Sequence, residues 1–398
     1  MLGTVLSQAI PVIMLPILTK LVTPNVLGEY FEWYSISLIC GVITLVALDN
    51  AIYTASTRSE VIKITMAVTT IASGVIAASG IAALAFYVFN WKLMHLGAAE
   101  LAACGMYAGI SAVTQCVMAG YVFDGRFAEQ AYAKVIFTAL PSIIQAMCVL
   151  VGALTENLIL GQIVGMTIAL ASIANKNRLP LHKYVIKACA RPQRMNLSRW
   201  RRFPLIALPS SLINNISAQS PILFLGHLYG PDIAAKYAIA FRTIAVPIGL
   251  MSTSILTVFK RDASYEFRHF GHCEESYWRT AKILAGVSMV ILLSIFLFGE
   301  SIIILIYGSE YKLSVDFLFA LLPSISIGFI SSNLSFSLYI AQKQHWELYW
   351  QILLLTSIII SLSFASSYIQ SIRIYSITYS VLYLVYLYLS WMAARSKR

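Results

Sequence analysis

Apolar residues run along this chain in long blocks, broken by short clusters of charge, proline and small polar residues. Twelve blocks are long enough to cross a membrane, near 1–19, 28–53, 62–89, 93–122, 130–153, 157–175, 204–226, 232–259, 281–307, 313–341, 346–369 and 372–393. A hydrocarbon core takes about 20 residues of α-helix, whereas a barrel strand spans it in about 10. Each block is far longer than such a strand, so the pattern predicts an all-α polytopic membrane protein with about twelve transmembrane helices. No cleavable signal peptide is expected, because Met1 leads into the first block without a basic stretch before it.

The longest hydrophilic segment, Lys176 to Arg202, divides the blocks into two sets of six. Residues 1–175 are therefore expected to form an N-terminal six-helix half, 176–203 a basic cytoplasmic linker and 204–398 a C-terminal six-helix half, with a central cavity between the halves. The stretch Thr23-Pro24-Asn25-Val26-Leu27-Gly28-Glu29-Tyr30 has the same Pro-to-Tyr spacing as Gly230-Pro231-Asp232-Ile233-Ala234-Ala235-Lys236-Tyr237. Each joins the first two helices of its half. Proline beside a small polar residue makes a tight turn in any protein, so the match fits either duplication or coincidence. Duplicated halves of six spans would be related by an axis along the membrane normal, with substrate between them.

Composition agrees with the pattern: 59% of the 398 residues are hydrophobic and 11% charged, against roughly 25% charged in a soluble domain. The formal charge of +11 could suggest nucleic acid, but its distribution argues for a membrane instead. With the N-terminus placed in the cytoplasm, 22 of the 28 lysines and arginines fall on cytoplasmic segments, which puts both termini inside. The six cysteines are irregularly spaced with no CxxC, and the six histidines form no ligand pair on a helix face. No disulfide framework, metal site or cofactor is expected. Neither a Walker A loop nor HExxH nor GxSxG occurs, so an ATP-driven pump within this chain is excluded and no catalytic residue is expected.

Arg242 stands in a run otherwise uncharged from Tyr237 to Lys260. Eleven residues beyond Pro231, it lies roughly 16 Å along its helix. Three roles fit: snorkelling from the outer interface, a structural ion pair, or an anion site lining a cavity. A guanidinium suits phosphate because its planar fork donates two hydrogen bonds at once. The block before it carries Ser210, Asn214 and Ser217 at helical spacing, with Ser211, Asn215 and Gln219 alongside. Such a stripe faces either a wet cavity or a neighbouring helix. Thr4, Ser7, Gln8 and Pro11 make a thinner version in the first block.

The carboxylates Glu32, Glu100, Asp49 and Asp124 lie in or near first-half spans. Proton- or cation-coupled transport needs such groups, and interfacial solvation is the alternative for each, as for Glu300 and Asp316 in the second half. Tyr375, Tyr379, Tyr383 and Tyr386 share one face of the last helix, placed to stack on sugars or to pack a neighbour. The serines between Ser324 and Ser337 suit close helix approach.

Several of these residues carry a resemblance. Pro16-Ile17-Leu18-Thr19-Lys20 with Thr23-Pro24 and Gly28-Glu29-Tyr30, then Asp49 before Ala51-Ile52, Phe203-Pro204, Gln219-Ser220-Pro221, and Tyr237 through Arg242 to Pro247 together resemble the bacterial Wzx-type polysaccharide (O-antigen and capsule) flippases. These belong to the multidrug/oligosaccharidyl-lipid/polysaccharide (MOP) exporter superfamily. The similarity is sharpest over residues 1–60 and 200–262. The chain departs from the family at Ala47 and Leu48, where a basic residue often precedes the carboxylate, and at Ala235, where glycine is common.

The resemblance implies a flippase that moves an undecaprenyl-pyrophosphate-linked oligosaccharide repeat unit from the cytoplasmic to the periplasmic leaflet of the bacterial inner membrane, by alternating access and without a cofactor. It implies that Arg242 compensates the pyrophosphate, that Asn214, Asn215 and Gln219 meet sugar hydroxyls, and that Lys20 and Gln8 border the cavity. Asp49, Asp124, Glu32 and Glu100 become the candidates for ion coupling. The implied partners are the lipid-linked oligosaccharide, membrane lipid, and a polysaccharide polymerase with its chain-length machinery, with no nucleic acid. A cation-coupled drug antiporter of the same superfamily would favour carboxylates deep in the bundle. A membrane polysaccharide polymerase would need a sizeable outer loop. The candidate arginine and the short predicted outer loops favour the flippase.

Overall fold

The computed structural model describes residues 2–89, 97–176, 200, 203–363 and 367–396. Nearly all of the segment expected to link the halves lies outside the described residues. Among those described, every regular element is helical: α1 Leu2–Leu21, α2 Pro24–Leu45, α3 Leu48–Tyr53, α4 Arg58–Phe89, α5 Ala98–Phe123, α6 Phe127–Val151, α7 Thr155–Lys176, α8 Leu208–Tyr229, α9 Pro231–Phe270, α10 Glu274–Tyr307, α11 Leu313–Leu334, α12 Phe336–Ile340, α13 Gln344–Ser363 and α14 Tyr368–Arg395. Twelve of them have 20 residues or more, and ten spans are long and apolar enough to cross a membrane. The other two long helices carry the polar stripes: α1 offers a shorter apolar stretch, Ala9–Leu21, and Asn214, Asn215 and Gln219 dilute α8.

Two predicted spans prove to be broken. The block at 28–53 ends its helix at Leu45, and Val46 and Ala47 adopt φ of 52° and 53° before α3 begins. Left-handed backbone is uphill for a β-branched residue. Packing holds it here: Leu45, Leu48 and Ile52 are buried against Ile64 and Val68 of α4 and Cys116 of α5. The block at 313–341 likewise breaks at Ser335, between α11 and α12.

The two repeat turns start their helices alike. Pro24 and Pro231 each occupy the first helical position, where proline's missing N–H costs nothing. Tyr30 and Tyr237, six residues on in each copy, are both buried. Tyr30 donates to Gln162 at 3.3 Å, and Tyr237 is hydrogen-bonded to Tyr375.

The helices form two compact units: one runs to Gln219 and includes Gly230–Asp232, and the other comprises Ser220–Tyr229 with Ile233–Arg398. In the first, α4 packs on α5, α6 on α7, α1 on α6 and α2 on α5. Small residues set the closest approaches, as lipid-embedded packing requires. Gly161 and Gly165 bring α7 backbone to backbone with α6: a Cβ at Gly165 would lie 2.3 Å from the Pro141 Cα, and one at Gly161 2.6 Å from the Gln145 Cα. Also within this unit, Gly28 packs on Pro231 so tightly that a Cβ would fall 1.8 Å from its carbonyl oxygen.

In the second unit α14 packs against α11, α12 and α13, and α10 against α11. Serine hydroxyls knit the contact: Ser331 donates to the Tyr383 carbonyl at 2.9 Å and Ser337 to the Ser390 carbonyl at 2.7 Å. The tyrosine face of α14 is a packing face. Trp350 of α13 stacks on Tyr386 at 4.0 Å between centroids, and Tyr379 stacks on Tyr383 at 4.3 Å with their hydroxyls 2.9 Å apart.

Candidate functional site

In α9, Tyr237 and Phe241 stack in parallel at 6.2 Å, and Phe317 of α11 meets Tyr237 edge-on. This aromatic support fixes the turn before Arg242. Arg242 is half-buried, and its charge acts on the Tyr307 phenol of α10. That phenol also meets the neighbouring Thr243 hydroxyl at 3.4 Å. The guanidinium therefore stands among side chains that can donate and accept hydrogen bonds, on a helix 40 residues long.

The polar stripe of α8 follows a π-helical turn, Phe203–Ala207, that packs against α3. π-Turns loosen the helical ladder and are frequent at functional sites. Asn214 and Ser211 are exposed, and Gln219 and Ser210 are half-buried. The Asn215 Oδ1 and the Ser217 hydroxyl are enclosed with no hydrogen-bond partner among the described residues. A buried polar atom without a partner costs about 1–3 kcal/mol, so the stripe holds hydrogen-bonding capacity in reserve. Lys20 is exposed in the last turn of α1, where a cation meets the negative end of the helix dipole. The Gln8 side chain lies outside the described residues.

The four first-half carboxylates occupy different environments. Glu100 accepts the Gly97 N–H at 2.9 Å and so caps the start of α5. Asp124 pairs with Arg58 at 3.0 Å, joining the end of α5 to the start of α4. Asp49 sits in the first turn of α3, beyond the end of the α2 span, with backbone N–H groups of its own turn bonded to it and Oδ1 enclosed without a partner among the described residues. Burial pushes its carboxyl above the usual range, and the backbone hydrogen bonds partly offset that.

Glu32 differs from all of these. It is 1% exposed, and neither carboxylate oxygen has a hydrogen-bond partner among the described residues. Ser35, one turn along the same face of α2, is buried with its hydroxyl equally unpartnered. Its neighbours are committed elsewhere: Trp33 donates to the Glu100 carbonyl at 3.0 Å, and Glu29 accepts from Thr155 at 2.5 Å and Asn25 at 3.1 Å. Ser35 is not among the residues singled out from the sequence, although its spacing of three from Glu32 puts both on one helix face. Nor is Glu347, which is hydrogen-bonded to Tyr339 and Tyr386 and reads in sequence as one more charge near an interface.

A family model described as "Polysaccharide biosynthesis protein" matches residues 17–316. The chain belongs to that family. No curated protein matches the chain in sequence. Its fold is similar to that of the lipid II flippase MurJ in an inward closed conformation, with a TM-score of 0.70 and 14% identity, covering 98% of this chain and 86% of that one. An outward-facing multidrug resistance MATE transporter of the MOP superfamily aligns with a TM-score of 0.64 and 14% identity over 98% and 93% of the two chains. A MOP-superfamily transporter from Pyrococcus furiosus gives 0.61 and 14% over the same shares. At this identity the likeness concerns fold. The family is one of polysaccharide biosynthesis and the fold is like that of MurJ and the MATE transporters, in agreement with the all-α polytopic class and the family resemblance read from the sequence.

Proposed function

We propose that the protein is a flippase that carries an undecaprenyl-pyrophosphate-linked oligosaccharide repeat unit from the cytoplasmic to the periplasmic leaflet of the bacterial inner membrane. A pyrophosphate and a hydrated glycan cross hydrocarbon only at great cost, so the carrier must supply charge and hydrogen bonds while the polyprenyl tail stays in lipid. The observation that carries the reading is Arg242, half-buried in the long helix α9, in a chain of the polysaccharide biosynthesis family. Its guanidinium compensates the pyrophosphate. Asn214, Asn215 and Gln219 take sugar hydroxyls, using the Asn215 carbonyl that has no partner among the described residues, and Lys20 adds positive charge. The structural likeness to a protein named as a lipid II flippase supports a lipid-linked saccharide as cargo.

In this reading the two six-helix halves rock in alternating access, tethered by the basic cytoplasmic linker, with both termini in the cytoplasm. Glu32 takes up the coupling ion: a carboxylate buried without a partner is costly until a proton or a small cation neutralises it. Asp49 is the second candidate, while the cap at Glu100 and the ion pair at Asp124 favour structural roles. Product units pass to a polymerase and its chain-length machinery. The likeness to MATE multidrug transporters and the buried Glu32 also suit a cation-coupled drug antiporter.

The test is Arg242→Ala beside Arg242→Lys at equal membrane abundance in the native host. Surface polysaccharide should disappear in the first. Recovery in the lysine variant would show that charge suffices without the fork, and normal polymer in Arg242→Ala would overturn the role.

A further inference from the structure

The second unit holds a cavity lined by none of the residues assigned above. It measures about 470 Å³ and is bounded by Ser264, Phe267 and Arg268 of α9 and by Phe336, Tyr339 and Ile340 at α12. Its place in the fold follows from length. At 40 residues, α9 extends about 60 Å, twice the roughly 30 Å of a hydrocarbon core. The apolar run from Arg242 ends at Lys260-Arg261, so the turns that line the cavity stand at the basic, membrane-surface end of the helix.

Among the described residues, the charges there are positive and uncommitted to acids. Arg268 is exposed and spends its Nε on the Ser264 carbonyl at 3.1 Å. Among the described residues its two terminal nitrogens have no hydrogen bond. Lys260 reaches over the Phe336 ring, with Nζ 4.9 Å from the centroid, which brings a second cation to the rim. The nearby carboxylates have partners of their own, one of them, Glu347, at the cavity's Tyr339. Glu266 accepts the N–H groups of Glu275 and Ser276 at 3.0 and 2.8 Å at the start of α10. Asp262 pairs with Arg279 at 2.5 Å, and Glu347 is hydrogen-bonded to Tyr339 and Tyr386.

Two cations thus flank an aromatic and aliphatic floor. We propose that this cavity binds the phosphodiester headgroup of an anionic glycerophospholipid, with Arg268 and Lys260 on the phosphate and Phe267, Phe336 and Ile340 against the glycerol and first acyl carbons. The guanidinium fork suits phosphate oxygens. The apolar floor suits a lipid rather than dissolved phosphate, which would leave it in water. Bound there, the lipid bridges α9 and α12 within the second unit. This site does not depend on what the transporter carries.

The test uses the full chain in detergent, titrated with phosphatidylglycerol and read by native mass spectrometry. Arg268→Gln and Lys260→Gln should each weaken the tightest lipid-binding step roughly tenfold, the size expected for losing one charge-assisted contact. Arg261→Gln, an equal charge loss on the same turn outside the cavity, should change it by less than about twofold. Phosphatidylcholine should bind weakly, and inorganic phosphate at millimolar concentration should not displace phosphatidylglycerol. Unchanged affinity in Arg268→Gln would overturn the proposal. So would an equal loss in Arg261→Gln, which would mean diffuse surface charge, or displacement by inorganic phosphate, which would mean a site for the free anion.

Discussion

Glu32→Gln separates a structural carboxylate from a functional one. A carboxylate held by a partner in a low-dielectric interior costs about 3–5 kcal/mol when one member of the pair is removed. Glu32 has no such partner: it is 1% exposed, and both oxygens lack hydrogen bonds among the described residues. Glutamine has almost the same shape, and leaving its amide unpaired costs about 1–3 kcal/mol, as it does for a neutral carboxyl. The two terms nearly cancel, so the expected stability change is within about 1 kcal/mol. Unfolding of purified protein in detergent measures it. Transport, followed as restoration of surface polysaccharide in a deletion host, should fall at least about tenfold, because glutamine does not titrate in this pH range and carries no charge for a proton or a cation to neutralise. A loss of several kcal/mol of stability would refute the reasoning by revealing a partner that the carboxylate holds. Full transport in a stable Glu32→Gln protein would remove Glu32 from coupling.

Other outcomes follow from the same geometry. Gly165→Ile should destabilise the α6–α7 pair by about 1–3 kcal/mol, because even a Cβ there would lie 2.3 Å from the Pro141 Cα; denaturation in detergent reads it. Asp124→Asn should cost no more than about 1 kcal/mol and leave polysaccharide export intact, since Arg58, its partner, is 60% exposed and water screens the pair. Asp49→Asn should stabilise the protein at neutral pH. Burial raises the Asp49 carboxyl in the folded state, so its ionisation works against folding as pH rises through the folded value. The advantage of the asparagine variant should vanish below the ordinary carboxylate range, and unfolding measured at acid and neutral pH tests the sign.

Much of the architecture was legible because lipid leaves the chain few choices. Backbone groups must be satisfied inside each span, so twelve apolar blocks read directly as twelve long helices. The break after Leu45 was not legible, since Val46 and Ala47 have side chains that ordinarily continue a helix, and it takes the tertiary contacts of Leu48 and Ile52 to hold the left-handed turn. Gly161 and Gly165 carried a readable small-residue spacing, yet which helix they face depends on the fold. For the candidate site, the sequence singled out Arg242 and the carboxylates as residue types, but not their partners. The cap made by Glu100 is local, since Gly97 lies three residues before it, but whether a carboxylate pairs as Asp124 does or lacks a partner among the described residues as Glu32 does is decided by residues distant in sequence.

The most direct test of the flippase reading is the leaflet that holds the lipid-linked repeat unit after the gene is deleted from its host, in a strain without a redundant flippase. A flippase should leave no surface polymer when deleted, with repeat units stranded on the cytoplasmic leaflet and returned outward by the wild-type gene but not by Arg242→Ala. Single units displayed on the periplasmic leaflet without polymer, or polysaccharide unchanged by the deletion, would contradict it.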